Sequence, residues 1–219
     1  MKLSVIIPTL NANDLLPACV TRLRAAGVGE IIIADGGTKP APSGLGEGVT
    51  IISSEPGRGQ QLQAGAQAAT GDWLLFLHAD TRLGDGWKEA VEAHAAASPH
   101  KAAVFRFALD DDSPAARRLE RIVALRCRLL ALPYGDQGLL MSRSLYEETG
   151  GFRAMALMED VDMVRRLGRA RITMLDMPAI TSAARYRREG YLRRMGRNAV
   201  CLSLFFAGMD PARIRKLYA

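Results

Sequence analysis

Gly71-Asp72-Trp73-Leu74-Leu75-Phe76-Leu77-His78-Ala79-Asp80 is the stretch on which the reading of this chain turns. An apolar run, Trp73 to Leu77, stands between a glycine-aspartate pair and a polar, acidic end. A run of that length with those flanks suits a strand buried on both faces, the usual condition in a parallel sheet. Such a strand delivers His78 and Asp80 to its carboxyl end, where side chains two apart on an extended chain point the same way. Ligands of open α/β sheets bind in the crevice beyond those ends. A carboxylate there suits a divalent cation carrying a diphosphate, because Mg²⁺ is usually held by one or two carboxylates plus phosphate oxygens. The competing reading makes Asp80 the start of a turn and His78 a plain strand-end residue.

The flanking segments fit an alternating α/β chain. Residues 3–7 are a β-branched run ending in Pro8-Thr9-Leu10-Asn11, a strand followed by a loop. Over residues 14–26, Leu15, Leu16, Cys19, Val20 and Leu23 recur at helical spacing, with Asn13 or Asp14 as N-cap and Gly27 as the stop. Residues 30–34 predict a second strand closing on Asp35-Gly36-Gly37, which completes a βαβ unit with a parallel pair. Further strands are predicted at 49–53, 103–109, 139–142 and 172–175, and helices at 59–70, 86–97, 115–132, 144–149, 159–167, 190–206 and 211–218. Asp110-Asp111-Asp112 reads as a solvated turn capping the next helix, with a metal site as the alternative. The fold class is α/β with a mainly parallel sheet flanked by helices, followed by basic C-terminal helices.

A chain of 219 residues is one large domain, divided here into 1–112, 113–180 and a basic helical segment 181–219. That last segment carries nine basic residues against two acidic ones, a net +7 that leaves the other 180 residues at −1. The basic bias therefore speaks of a local partner and not of the whole molecule. Three scattered cysteines (Cys19, Cys127, Cys201) form no CxxC pair, which fits a reducing compartment and no structural zinc. The apolar run at the N-terminus stops at Pro8, too soon for a secretory signal. No segment approaches the roughly 20 apolar residues of a spanning helix. A cytoplasmic location is expected, with attachment to the inner face of the membrane left open.

Two phosphate motifs are excluded as written. No GxGxxG follows the first strand, and GxxxxGK[ST] occurs nowhere. What remains at the strand ends is Pro8-Thr9, Asp35-Gly36-Gly37 and His78-Ala79-Asp80, which one sheet edge would gather around a single crevice.

These residues resemble the family 2 glycosyltransferases, which have the GT-A nucleotide-diphospho-sugar transferase fold. Ser4 to Asn11 is similar to that family's opening strand and loop, Glu30 to Gly37 to its second strand with an acidic end, and Gly71 to Asp80 to the strand carrying its DxD metal motif. Gly150-Gly151-Phe152 followed by Glu159-Asp160 resembles the GGF and ED elements of its acceptor side. The likeness runs from about Leu3 to Leu167, with the elements in the family's order.

The resemblance implies that Asp35 and Gly36 meet the nucleotide base, with Pro8, Thr9 and Asn11 walling its pocket; an ionised carboxylate accepts and a uracil N–H donates. Asp35 as a plain turn residue before two glycines is the alternative. Asp80, with His78, would ligate Mg²⁺ or Mn²⁺ on the diphosphate of a UDP-sugar or similar donor. Asp160 would be the base that deprotonates a hydroxyl acceptor, lipid-linked or not, with inversion at the sugar. Glu159 and an apolar surround would raise its pKa. The same two acids also suit the first turn of a helix by its dipole. Asp136 and Gln137 would line the sugar or acceptor site, and Arg58 and Arg185 would serve the diphosphate.

Three positions depart from the family's pattern. His78 replaces the first acid of DxD, and a neutral imidazole could touch ribose or assist a borderline metal such as Mn²⁺. Ala12 replaces the acid that often follows the first loop's Asn, and Leu62-Gln63 replaces a frequent Arg-Asn pair. They leave open a nucleotidyltransferase, although Pro8 to Asn11 lacks the Gly-rich basic loop of that class, and an inactive nucleotide-sugar-binding protein. Arg117, Arg118, Arg121, Arg126 and Arg128 share a helix with Leu119, Ile122, Leu125, Leu129 and Leu130. Such faces pack on a core or a second subunit, or lie on an anionic membrane. No RRM, KH or zinc-finger pattern points to nucleic acid.

Overall fold

The computed structural model describes residues 1–218. β1 (Leu3–Thr9), α1 (Leu16–Ala25) and β2 (Glu30–Asp35) form the expected unit, with β1 and β2 parallel and Ile6 opposite Ile32. β3 (Val49–Ser53) lies parallel outside β2, and after α2 (Arg58–Ala68) the chain enters β4 (Trp73–Phe76), parallel to β1 on its other side. Then follow β5 (Thr81–Leu83), α3 (Trp87–Ala97), β6 (Ala102–Leu109), α4 (Pro114–Leu130), β7 (Leu139–Ser142), α5 (Arg143–Glu148) and α6 (Glu159–Leu167). The described chain closes with β8 (Ile172–Thr181), α7 (Ala184–Glu189), α8 (Tyr191–Phe206) and α9 (Pro211–Tyr218).

The eight strands make one sheet in the order β3-β2-β1-β4-β7-β6-β8-β5. The half from β3 to β4 is parallel throughout. Beyond it β7 runs antiparallel to both β4 and β6, β8 is parallel to β6, and β5 is antiparallel to β8. Both faces are covered. Val5, Ile7, Ile31, Ile33 and Leu75 pack under α1 and α3, while Ile6, Ile32, Leu74 and Phe76 pack under α2, α5 and α6. That double covering is why the central strands read as unbroken apolar runs.

Close approach of α2 to β1 depends on Gly65, where an added Cβ would lie 2.4 Å from Ile6 Cγ2. Ile6 is fully buried and β-branched, so its methyl has nowhere to turn. Gly65→Ala is therefore expected to destabilise the fold by about 1–2 kcal/mol, overpacking outweighing the gain in helix propensity. Gly196 in α8 has nothing within 4 Å of an added Cβ, so Gly196→Ala should stabilise instead. Urea unfolding of the two variants checks the opposite signs.

Four elements differ from expectation, one of them α7, a helix where none was expected. β4 ends at Phe76, and His78 to Asp80 form a turn in which the Thr81 N–H donates to the His78 carbonyl at 3.1 Å. The turn carries the chain from the middle of the sheet to β5 at its edge, so Asp80 sits on a turn and not on an extended strand. β5 itself, only three residues long, is too short to show a period. β8 continues from the expected end at Leu175 to Thr181, because a register shift between Phe105 and Arg106 of β6 takes up the irregularity near Asp176 and Pro178.

Candidate active site

One cavity opens beyond the carboxyl end of β4, and its first wall consists of Arg58, His78 and Asp80. Arg58 begins α2, where Gly59 lets the helix start against the loop before α6: an added Cβ at Gly59 would lie 2.1 Å from the Arg153 carbonyl oxygen. Burial opposes the charge of Arg58, but Glu159, Tyr218, Asp160 and Asp80 around it raise its pKa on balance. His78 is held well below its ordinary value, by burial first and then by Arg58 and Arg185, so the ring is neutral. Among the described residues nothing donates a hydrogen bond to the carboxylate of the partly buried Asp80.

A second wall, from the loop before β7 and the start of α6, carries Asp136, Glu159 and Asp160. Glu159 and Asp160 open α6, whose dipole favours acids in its first turn, as the helix-start reading expected. Asp160 is gripped from two sides: Gly135 N–H donates to Oδ2 and Val161 N–H to Oδ1, both at 2.7 Å. An added Cβ at Gly135 would lie 2.9 Å from His78 Nε2 and 3.5 Å from Asp160 Oδ2, so the two walls meet across that residue. Glu159 is only 2% exposed, and its pKa is pushed up by burial and by Asp160. Asp136 follows it, pushed up to about 6. The raised acids are thus the two neighbours of the expected base.

Asp136 Oδ1, Glu159 Oε2 and Asn198 Oδ1 are buried with no hydrogen-bond partner among the described residues. All three residues line the cavity. Orphaned buried acceptors are costly, so such a group suits a ligand that brings its own donors.

Other expected site residues are elsewhere. Pro8, Thr9, Asn11, Asp35 and Gly36 sit at the ends of β1 and β2 but do not line this cavity. Asp35 is buried and engaged: Gly37 N–H (3.1 Å) and Thr38 N–H (2.9 Å) donate to Oδ2, and the Thr38 hydroxyl donates to Oδ1. These bonds make Asp35 part of the turn after β2, as the turn alternative expected, and still leave Oδ1 a lone pair free. Gln137 is also turned inward, fully buried: Oε1 accepts from Tyr134 N–H and the Cys127 thiol, and Nε2 donates to the Phe105 carbonyl. It pins the loop that presents Asp136 and does not line the cavity.

The family pattern of glycosyl transferase family 2 matches residues 4–160. The chain belongs to glycosyl transferase family 2. A PGL/p-HBAD biosynthesis glycosyltransferase of Mycobacterium tuberculosis is 38% identical over 92 residues, covering 36% of this chain and 36% of that relative. The match therefore spans about a third of the curated relatives' length. S. aureus TarS 1-349 superposes over 100% of this chain and 70% of its own with a TM-score of 0.59 at 14% identity. Glucosyl-3-phosphoglycerate synthase of Mycobacterium tuberculosis, in complex with Mn²⁺, UDP and glucosyl-3-phosphoglycerate, covers 81% of this chain and 70% of its own (TM-score 0.55, 18% identity). These likenesses show the fold, and it is the GT-A fold.

In this family 2 chain the remaining wall comes from beyond the matched residues. Arg185, Tyr186, Arg194, Asn198 and Tyr218 close the cavity from α7, α8 and α9. Arg194 is buried and holds these helices together: Nη1 donates to both Glu189 oxygens at 3.1 Å, and Nη2 donates to the Tyr218 hydroxyl at 2.9 Å. Burial works against the charge on Glu189, but hydrogen bonds from Arg188, Arg194 and Arg197 bring it down to about 2. Of this wall the sequence singled out only Arg185 as a site residue. Tyr186 belongs to the run beside Arg185 that resembles a segment closing over the diphosphate, Arg194 and Asn198 were readable merely as parts of a basic segment, and a Tyr at the end of a final helix carries no local signal.

Asp136 also predicts a pH effect on stability. Burial is the main cause of its shift; Arg126 and Arg58 oppose it, and Asp160 and Asp80 add to it. The folded state therefore holds this proton more tightly than the unfolded chain, whose value is near 3.8. The contribution is present below that value and is lost as pH rises through about 6. Asp136→Asn is expected to raise stability by about 1–2 kcal/mol above pH 6, after allowance for partial exposure, and by nothing in strong acid. Melting temperatures across the acid range check this.

Proposed function

We propose that this chain moves a sugar from a nucleoside diphosphate to a hydroxyl acceptor by direct displacement with inversion. The observation that carries the reading is one cavity with Asp80, His78 and Arg58 on one wall and Asp160, Glu159 and Asp136 on the other. Residues 1–112 form the donor half, 113–180 the acceptor half, and the helices after 181 close the site.

The first wall suits a diphosphate. Among the described residues no three His, Cys, Asp or Glu side chains are grouped to hold an ion unaided. An open carboxylate in that setting fits a cation whose other ligands are phosphate oxygens. Asp80, with His78 in place of the usual first acid, would hold Mg²⁺ or Mn²⁺, which when bound neutralises charge on the departing diphosphate. Arg58 and Arg185 add fixed positive charge beside it. The neutral His78 ring offers a lone pair to the ion or a contact to ribose. The nucleoside would extend toward Pro8, Thr9 and Asn11, with Asp35 and Gly36 shaping that edge from within.

The second wall suits the acceptor. Backbone donors fix both Asp160 oxygens in place and leave each with a free lone pair for the incoming hydroxyl's proton. The orphaned oxygens of Asp136, Glu159 and Asn198 would take hydroxyl hydrogens of the acceptor or donor sugar.

The test is a thermal-shift panel of UDP, GDP and ADP with and without Mn²⁺, followed by hydrolysis assays on the matching nucleotide sugars. UDP is placed first because the synthase superposed above is a UDP and Mn²⁺ complex. A ligand at a hundred times its Kd adds about 2.7 kcal/mol of apparent stability, which is easily read. No shift with any nucleotide, ion present or absent, would sink the proposal. Metal-dependent binding with no hydrolysis of any sugar nucleotide would select the inactive binding protein.

A further inference from the structure

Of the thirteen exposed large apolar side chains among the described residues, eight lie on α4, α8 and α9, with α8 packed against both of the others. α4 has two apolar stripes. Ala116, Leu119, Val123 and Cys127 enter the core, while Ile122, Leu125 and Leu129 recur at i, i+3 and i+7 on the opposite side, uncovered. Leu125 is 54% exposed and Leu129 59%. On α8 the outward residues include Leu192, 78% exposed, and Val200. Its inward residues Arg194 and Asn198 belong to the cavity.

The charge on these helices has one sign. Arg118, Arg121 and Arg128 flank the outer stripe of α4, and Arg193, Arg213 and Arg215 stand out from α8 and α9. The one acid on α4, Glu120, is engaged by Arg117 at 2.7 Å and by the Leu109 N–H. α8 and α9 contain no acidic residue. Exposed aliphatic stripes bordered by arginines and free of carboxylates match the boundary between anionic headgroups and acyl chains. We propose that α4, α8 and α9 dock this chain onto an anionic phospholipid bilayer, with Leu125, Leu129 and Leu192 entering at headgroup depth and the arginines on lipid phosphates.

Two other occupants fit less well. A second copy in a symmetric pair would set this one-signed surface against itself, cation facing cation. A nucleic acid would find phosphate partners, but aliphatic side chains give bases nothing to stack on. Among the described residues no helix is long and apolar enough to cross a membrane, so the contact is one of lying on the surface. The inference is independent of sugar transfer, and either can fail without the other.

Co-sedimentation with vesicles tests it, using phosphatidylcholine alone and phosphatidylcholine doped with phosphatidylglycerol. The full chain should bind only the doped vesicles, and less so as salt rises. Leu125→Glu with Leu129→Glu should lower partitioning by about ten-fold or more, and Arg118→Ala or Arg121→Ala by about five-fold each. All four positions are exposed, so unchanged melting temperatures would rule out a folding defect. No binding to the doped vesicles, or equal binding by the glutamate variant, overturns the proposal. So does a dimer in sedimentation that the glutamate variant abolishes, or tighter retention on a DNA duplex that it leaves intact.

Discussion

Asp160→Asn is expected to lower turnover by roughly 10²- to 10⁴-fold, the usual worth of a positioned general base, while nucleotide affinity stays within a factor of about two. The amide keeps the shape of the carboxylate but cannot take the proton. It also has only one acceptor oxygen for the two backbone donors, Gly135 N–H and Val161 N–H. One of them loses its partner, so the variant should also be less stable by about 1–2 kcal/mol. That loss is small enough to leave the protein folded, and the rate must be measured well below the variant's melting range. Separation of kcat from KM decides the matter, because a residue acting only on acceptor binding would raise KM instead. Retention of more than about a tenth of kcat would move the base elsewhere. Asp136 would then be the first alternative, since it faces the same cavity with one oxygen unpartnered and a pKa near 6.

How much of this was legible beforehand depended on how local each signal was. β1, β2 and β4 were readable because strands covered on both faces are continuous apolar runs, and Asp80, Glu159 and Asp160 because each follows or opens an element that such patterns mark. The turn at His78 stood only as the competing reading, since one apolar run cannot reveal that β5 will pair with β8 at the far edge. Asp35 and Gln137 look as polar as any binding residue. Only the folded chain reveals that Thr38 and Gly37 occupy the first, and that Phe105, Tyr134 and Cys127 occupy the second. The closing wall was the least legible part. Tyr218 reaches the cavity through a hydrogen bond to Arg194, 24 residues earlier, and no periodicity encodes such a contact.

Asp80→Ala should act on the other wall and leave a different signature. In the apoprotein the carboxylate of the partly buried Asp80 has no hydrogen bond to lose among the described residues, and it helps push the Asp136 pKa up. Removing it relieves repulsion on Asp136 but also takes an anion from beside the buried Arg58, so the ligand-free melting temperature should change little. What should vanish is the extra stabilisation that Mn²⁺ gives in the presence of UDP, together with roughly 10²- to 10³-fold of turnover, the scale for losing one group that stabilises a developing charge. Arg58 and Arg185 remain, so metal-free nucleotide binding should persist at a level that salt weakens. Asp160→Asn, by contrast, should keep the full Mn²⁺-dependent shift. The two variants thus separate the walls: one loses the ion-dependent grip on the diphosphate, the other loses the proton transfer. If Asp80→Ala kept its Mn²⁺-dependent shift, the cation would have to be held without the turn after β4, and the division of labour argued for this cavity would be wrong.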